Sequence, residues 1–245
     1  MHMTFYGIPL YDWAVLGIFL LAWSGYTWFA DYSQWADRGL PRMMEFHRQR
    51  WMRQLMEREM RMPDVILMGN FVNSAVFFAS TAILITGGLV ATLGASDKAR
   101  EALTQLPFVA TPPPGLWEFK VLTLVCVFIY AFVKFIWSVR LANYSSVLFN
   151  AAPMAGDESA EAYARELGKI VGLFGLHFNQ GLRANFFALA VLGWWVNPWC
   201  FLLATALVCA VMSRREYRSK SRAVVRELQA LCREFESDKN HEEIP

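Results

Sequence analysis

The sequence predicts an all-α, polytopic integral membrane protein with about five transmembrane helices plus cytoplasmic amphipathic helices. Three observations carry this. Apolar stretches nearly free of acidic residues cover residues 12–30, 65–93, 116–139 and 170–213, and a helix needs ~20 residues to cross a hydrocarbon core of about 30 Å. The last stretch contains no Asp or Glu, is too long for one crossing, and carries Asn197-Pro198 near its middle as a turn. Arginine is unevenly distributed: the segment 31–64 holds seven Arg and no Lys, and the segment 214–245 holds six Arg and two Lys. Positive residues mark the cytoplasmic side. An outside N-terminus, a cytoplasmic C-terminus and spans at 12–30, 65–93, 116–139, 172–196 and 198–213 are mutually consistent. Residues 1–213 then form the transmembrane domain and 214–245 a basic cytoplasmic helical tail.

Composition agrees, since 56% of the 245 residues are hydrophobic and 15% aromatic, more apolar surface than a soluble domain of this size buries. The bacterial inner membrane is the expected location. The first apolar run lacks a basic leader and a small-residue cleavage site, so it reads as a retained span. Cys126, Cys200, Cys209 and Cys232 show no CxxC pairing and imply neither disulfides nor zinc. No nucleic-acid motif, metal cluster or cofactor motif is present.

The first span is bordered by Tyr11, Trp13, Trp28, Tyr32 and Trp35, as interfacial aromatic belts require. Gly39-Leu40-Pro41 breaks the helix. Residues 42–62 follow as a basic amphipathic helix, with Met44, Trp51, Leu55 and Met62 on one face and Arg50, Arg53, Glu57 and Arg61 mostly opposite. It either lies in the cytoplasmic interface or packs on the span ends. In the second span Asn70, Asn73, Ser74, Ser80, Thr81 and Gly88 share about one third of the circumference, a face suited to helix packing and, second, to lining a pathway. A short outer loop ends in Pro112-Pro113-Pro114-Gly115. The third span repeats the pattern with Lys120, Thr123, Cys126, Tyr130, Lys134 and Ser138, continuing to Tyr144 and Ser145.

Asp157 or Ser159 can then cap a helix that runs unbroken into the fourth span, where Gly168, Gly172 and Gly175 suit close helix contact. Asn179, Gln180 and Arg183 share a face with Phe187, Ala190 and Trp194, while His177 and Asn185 point elsewhere. Trp194, Trp195 and Trp199 are expected at the outer interface. The fifth span is short and its Arg-rich continuation is helical.

Lys134 and Arg183 carry the sharpest question, because a cation at membrane depth costs roughly 3 kcal/mol or more unless it snorkels or is paired. No acid lies inside a span to pair with them, which leaves two readings. Both reach inner-leaflet phosphates by snorkelling, Lys134 lying six residues, about 9 Å of helix, before Arg140; or Arg183, Gln180, Asn179, Lys134 and Tyr130 converge on a cytoplasm-facing site for an anion or a lipid headgroup.

His47-Arg48-Gln49-Arg50-Trp51-Met52, Ser80-Thr81-Ala82-Ile83-Leu84, Arg140-Leu141 and Phe178-Asn179-Gln180-Gly181-Leu182-Arg183-Ala184, in this order and spacing, resemble the plant and bacterial membrane family known only as domain of unknown function 599. The resemblance covers roughly residues 10–220. It implies a multi-span membrane fold and a motif context for Arg183, and brings no activity, substrate or cofactor. The residues themselves favour a homo-oligomeric channel or transporter with an anion as solute. The alternative is an accessory or scaffolding subunit that binds anionic membrane lipid or a larger complex. A membrane enzyme ranks last, because no catalytic residues, neither a nucleophile and base nor a metal cluster, are visible.

Overall fold

The computed structural model describes residues 4–5, 8–95, 98, 101, 114–154 and 156–242; the proline run expected to close the outer loop lies mostly outside them. A two-residue ribbon, β1 (Thr4–Phe5) against β2 (Ile8–Pro9), pairs Thr4 with Pro9 and Phe5 with Ile8. The long elements among the described residues are helices: α1 Leu10–Tyr32, α2 Leu40–Glu57, α3 Met62–Gly94, α4 Pro114–Asn150, α5 Ala160–Leu192, α6 Pro198–Tyr217 and α7 Lys220–Glu242. Among the described residues four runs, Leu10–Tyr32, Met62–Gly94, Gly115–Asn150 and Pro198–Phe235, are long and apolar enough to cross a membrane, which marks a multi-span membrane protein. Helix α5 is not among them. It is the most enclosed helix, with fifteen buried residues including Gln180 and Arg183, and a helix wrapped by other helices does not need an apolar outside.

The helix boundaries have local causes. Helix α2 begins after Gly39, with Pro41 in the first turn where its missing N–H removes no bond. It stops at Glu57 rather than running to Met62, because Pro63 would clash with the carbonyl four residues upstream. The chain therefore turns extended at Arg58 and restarts at Met62. Arg61 in this connection donates from Nη1 to the carbonyls of Phe149 (3.3 Å) and Ala152 (2.6 Å) and from Nη2 to that of Pro153, placing a cation on the C-terminal end of α4. Asp157 accepts bonds from the backbone N–H (2.8 Å) and hydroxyl (2.7 Å) of Ser159 at the turn into α5; these bonds to the carboxylate lower the Asp157 pKa below the usual range. At the opposite end Asn197 caps α6 by accepting from the Cys200 N–H at 2.7 Å, so the expected hairpin forms there.

Helix α5 runs antiparallel to α1, α4 and α6, as the order of its contacts shows. Trp194, just past its C-terminus, meets Asp12 at the start of α1, Lys120 at the start of α4 and Phe201 at the start of α6. Arg183, eleven residues before Trp194 along the chain, meets Asp31 and Glu216, close to the ends of α1 and α6. Between these levels the core is aromatic, with Phe19 against Phe201 at 5.0 Å and Phe201 stacked on Trp194 at 4.9 Å. Trp194 is thus fully buried rather than interfacial; of the three tryptophans placed at the outer interface, Trp199 alone is strongly exposed, at 79%.

Two helix faces differ from expectation. In α2 the buried residues are Met43, Met52, Leu55 and Met56, whereas Met44 and Met62 are exposed. The apolar arc is rotated because α2 packs across α5, on the stripe Gly168, Gly172 and Gly175. A Cβ on Gly168 would crowd Gln49, on Gly172 the Glu45 carboxylate and on Gly175 the Arg48 guanidinium. In α3 the seam against α4 is Met68, Ala75, Ala79, Ala82 and Thr86. Asn70, Asn73, Ser74, Ser80 and Gly88 are exposed in the single chain and Thr81 is half-buried, so the polar face does not form the internal seam. Alanine admits the large side chains of α4, such as Phe135, without losing rotamer freedom, and the hydroxyls of Ser74 and Thr81 are already satisfied by the carbonyls of Asn70 and Phe77.

Gly172→Val should loosen the α2 contact with an overpacking loss of about 1–3 kcal/mol, read as a lower thermal midpoint in detergent. Gly87→Val, where the new Cβ meets no atom within 4 Å, should change the midpoint little. Equal midpoints for the two variants would contradict the seam.

Candidate functional site: a buried charge network and its inner cleft

Arg183 is 1% exposed at its side chain and is paired twice. Its Nη1 donates to Asp31 Oδ1 at 2.5 Å and its Nε to Glu216 Oε1 at 3.0 Å. Gln180, one turn earlier on α5, donates from Nε2 to the other Asp31 oxygen at 2.8 Å, and the guanidinium stands 5.8 Å from the Tyr26 ring. The expectation that Arg183 lacks an acidic partner is therefore overturned, as is snorkelling to lipid phosphate. Both acids lie just outside the apolar runs used to define spans 12–30 and 198–213, and the long arginine side chain reaches them from deeper in the bundle.

The other expected site residues surround the same carboxylate. Lys134 is half-buried, with its Nζ 5.3 Å from the Tyr130 ring, and Lys134 and Tyr130 are both in electrostatic reach of Asp31. Asn179 is half-buried and lines a cleft with Asp31. Arg183, Gln180, Lys134 and Tyr130 thus do converge, and Asn179 lies beside them. Arg183 and Gln180 bond the chain's own Asp31 directly.

The cleft, of about 620 Å³, opens where the end of α1, the start of α2 and the middle of α5 meet. Arg42, Arg48 and Lys169 supply cations and Asp31 and Glu45 supply acids. Arg48 donates to Glu45 at 3.4 Å; burial pulls the Arg48 pKa below the ordinary arginine value and Glu45 opposes that pull. Among the described residues no group of His, Cys, Asp and Glu converges in metal-binding geometry.

Sequence reading missed a second buried cluster. Asp12, fully buried, accepts from Trp194 Nε1 at 2.7 Å. Lys120, 5% exposed, donates to the Trp194 carbonyl at 2.8 Å and lies 5.5 Å from its ring. The signal was available: Asp12 and Asp31 are nineteen residues apart on one helix, about 28 Å, so α1 carries one carboxylate at each end of a hydrocarbon-length segment.

Removing one member of a buried ion pair strands the other, at about 3–5 kcal/mol. Arg183→Met should lower stability by about that amount, read from thermal unfolding in detergent. Combining it with Asp31→Asn and Glu216→Gln should recover much of the loss. A single variant as stable as the wild type would show that the network carries no energy.

No curated protein and no solved structure matches the chain. A family model described as Protein of unknown function, DUF599, matches residues 14–221, nearly all of the helical bundle from α1 to the start of α7. The chain belongs to that family.

Proposed function

We propose that this protein is a non-enzymatic assembly subunit of the membrane, threaded five times with its N-terminus outside and its C-terminus cytoplasmic, which associates with further copies of itself through the outward face of α3. The observation that carries the proposal is the exposure of Asn70 and Asn73 on a helix apolar enough to cross a membrane. Asn73 lies nine residues, about 14 Å, beyond Asp64, well inside the hydrocarbon. An amide facing lipid tails lacks hydrogen-bond partners and is costly there. Each amide carries both a donor and an acceptor, so the same stripe on a second copy is its complement across a two-fold axis. Inter-helix bonds of this kind contribute about 1–2 kcal/mol in model helices. Counting α5 as the fifth crossing brings both arginine-rich segments to the cytoplasmic side, as the charge rule asks.

A second reading, a homo-oligomeric channel or transporter, is favoured by the inner cleft that reaches Asp31 and Asn179. Its preference for an anion is weakened, because Arg183 is neutralised within the chain and the cleft cations Arg42, Arg48 and Lys169 are paired with Asp37, Glu45 and Glu166.

Asn73→Leu together with Asn70→Leu should shift the detergent-solubilised protein from oligomer to monomer in light scattering. A wild type that is already monomeric in bilayers would end the assembly reading. In a cysteine-free background, Trp199→Cys should react with an impermeant maleimide added outside and Ser221→Cys should not; the reverse pattern would invert the threading. Ion flux in liposomes that hold only this protein would favour the channel reading.

A further inference from the structure

We propose that a groove at the inner end of α1 and α6 binds the phosphate headgroup of an anionic phospholipid. The groove, of about 740 Å³, lies between the α1–α2 connection, the last turns of α6 and the start of α7. Arg38, Arg214, Arg218 and Arg222 line it together with Phe29 and Trp35, and no acidic residue lines it. Outside the groove Arg61 is held by backbone carbonyls, and several arginines are matched to carboxylates, Arg42 to Asp37, Arg48 to Glu45, Arg58 to Asp64 and Arg183 to Asp31 and Glu216. Among the described residues none of the four groove arginines has such a partner. Arg38 instead stacks over Trp35 at 4.3 Å, and Arg222 Nε donates to the Arg38 carbonyl at 2.6 Å, which ties α7 to the opposite wall.

Four like charges around one cavity repel one another unless an anion enters. Guanidinium forks match the geometry of phosphate oxygens and bind them more strongly than neutral donors do. The source of the phosphate follows from the walls. Phe29 belongs to α1 and Ala210 to α6, two helices that continue into membrane-crossing runs, and on α6 Leu207 and Val211 are exposed just beyond the groove. A headgroup held by the arginines therefore leaves its acyl chains along an apolar surface, which a free phosphate would not use. Trp35 beside the groove is an interfacial residue type at the matching level.

The test uses the full chain in detergent, with native mass spectrometry after exchange into mixed phosphatidylcholine and phosphatidylglycerol. The wild type should retain phosphatidylglycerol over phosphatidylcholine. The double variant Arg214→Gln, Arg218→Gln should retain it about tenfold less or worse, as expected for losing charge-assisted contacts, with an unchanged thermal midpoint. The surface control Arg165→Gln should behave as the wild type. If the double variant is destabilised, Arg38→Gln replaces it with the same expectation. Undiminished retention by a folded groove variant would overturn the proposal. So would millimolar inorganic phosphate that binds the lipid-free protein and displaces phosphatidylglycerol completely, since the site would then be one for free phosphate.

Discussion

The bundle depends on one interaction, the Arg183 guanidinium held between Asp31 and Glu216 and buried where α1, α5 and α6 meet. Each charge alone would be costly to bury; together they tolerate burial because Arg183 bonds both carboxylates and Gln180 satisfies the second Asp31 oxygen, which leaves Arg183 Nη2 without a partner among the described residues. The three charges come from three helices, α5, α1 and α6, which apolar packing alone leaves free to slide or rotate. Directional bonds among them set the register, and the cluster of Asp12, Lys120 and Trp194 does the same at the opposite end of α1. Such a device specifies one arrangement more than it adds net stability.

That division of labour explains why α5 looks different from its neighbours. It carries the small residues that seat α2, the polar residues that reach Asp31, and the aromatic residues that meet α1 and α6. The surrounding helices supply the apolar exterior. The chain's outward chemistry is consequently displaced to its periphery, to the amide stripe of α3 and the arginine groove beside α7, while the most polar part of the interior is closed on itself. Arg183 acts here as an internal fastener of α1, α5 and α6.

Much of this arrangement was legible in the residues. Gly39-Leu40-Pro41, Asn197-Pro198 and the acid-free runs mark helix starts and turns through local sterics, though the helix expected to reach residue 62 breaks at Arg58, ahead of Pro63. Of the face assigned to Asn179, Gln180, Arg183, Phe187, Ala190 and Trp194 by helical periodicity, all but the half-buried Asn179 are buried. The glycines of α5 announced a close helix contact without naming α2 as its partner. The ion network was not legible, because Asp31 and Glu216 lie just beyond the spans as sequence delimits them, and which charge a long arginine side chain reaches depends on helix tilt. The orientation of α3 was not legible either: its alanines and its amides recur at compatible spacings, and the choice between them is made by the aromatic surface of α4.

The most direct test of the central claim is solid-state NMR of the protein in bilayers, measuring dipolar couplings from the ¹⁵N-labelled Arg183 guanidinium. The account predicts contact-range couplings to the side-chain carboxyl carbons of both Asp31 and Glu216, and none to lipid phosphorus. Coupling of Arg183 to lipid phosphorus, with either carboxyl out of range, would contradict it.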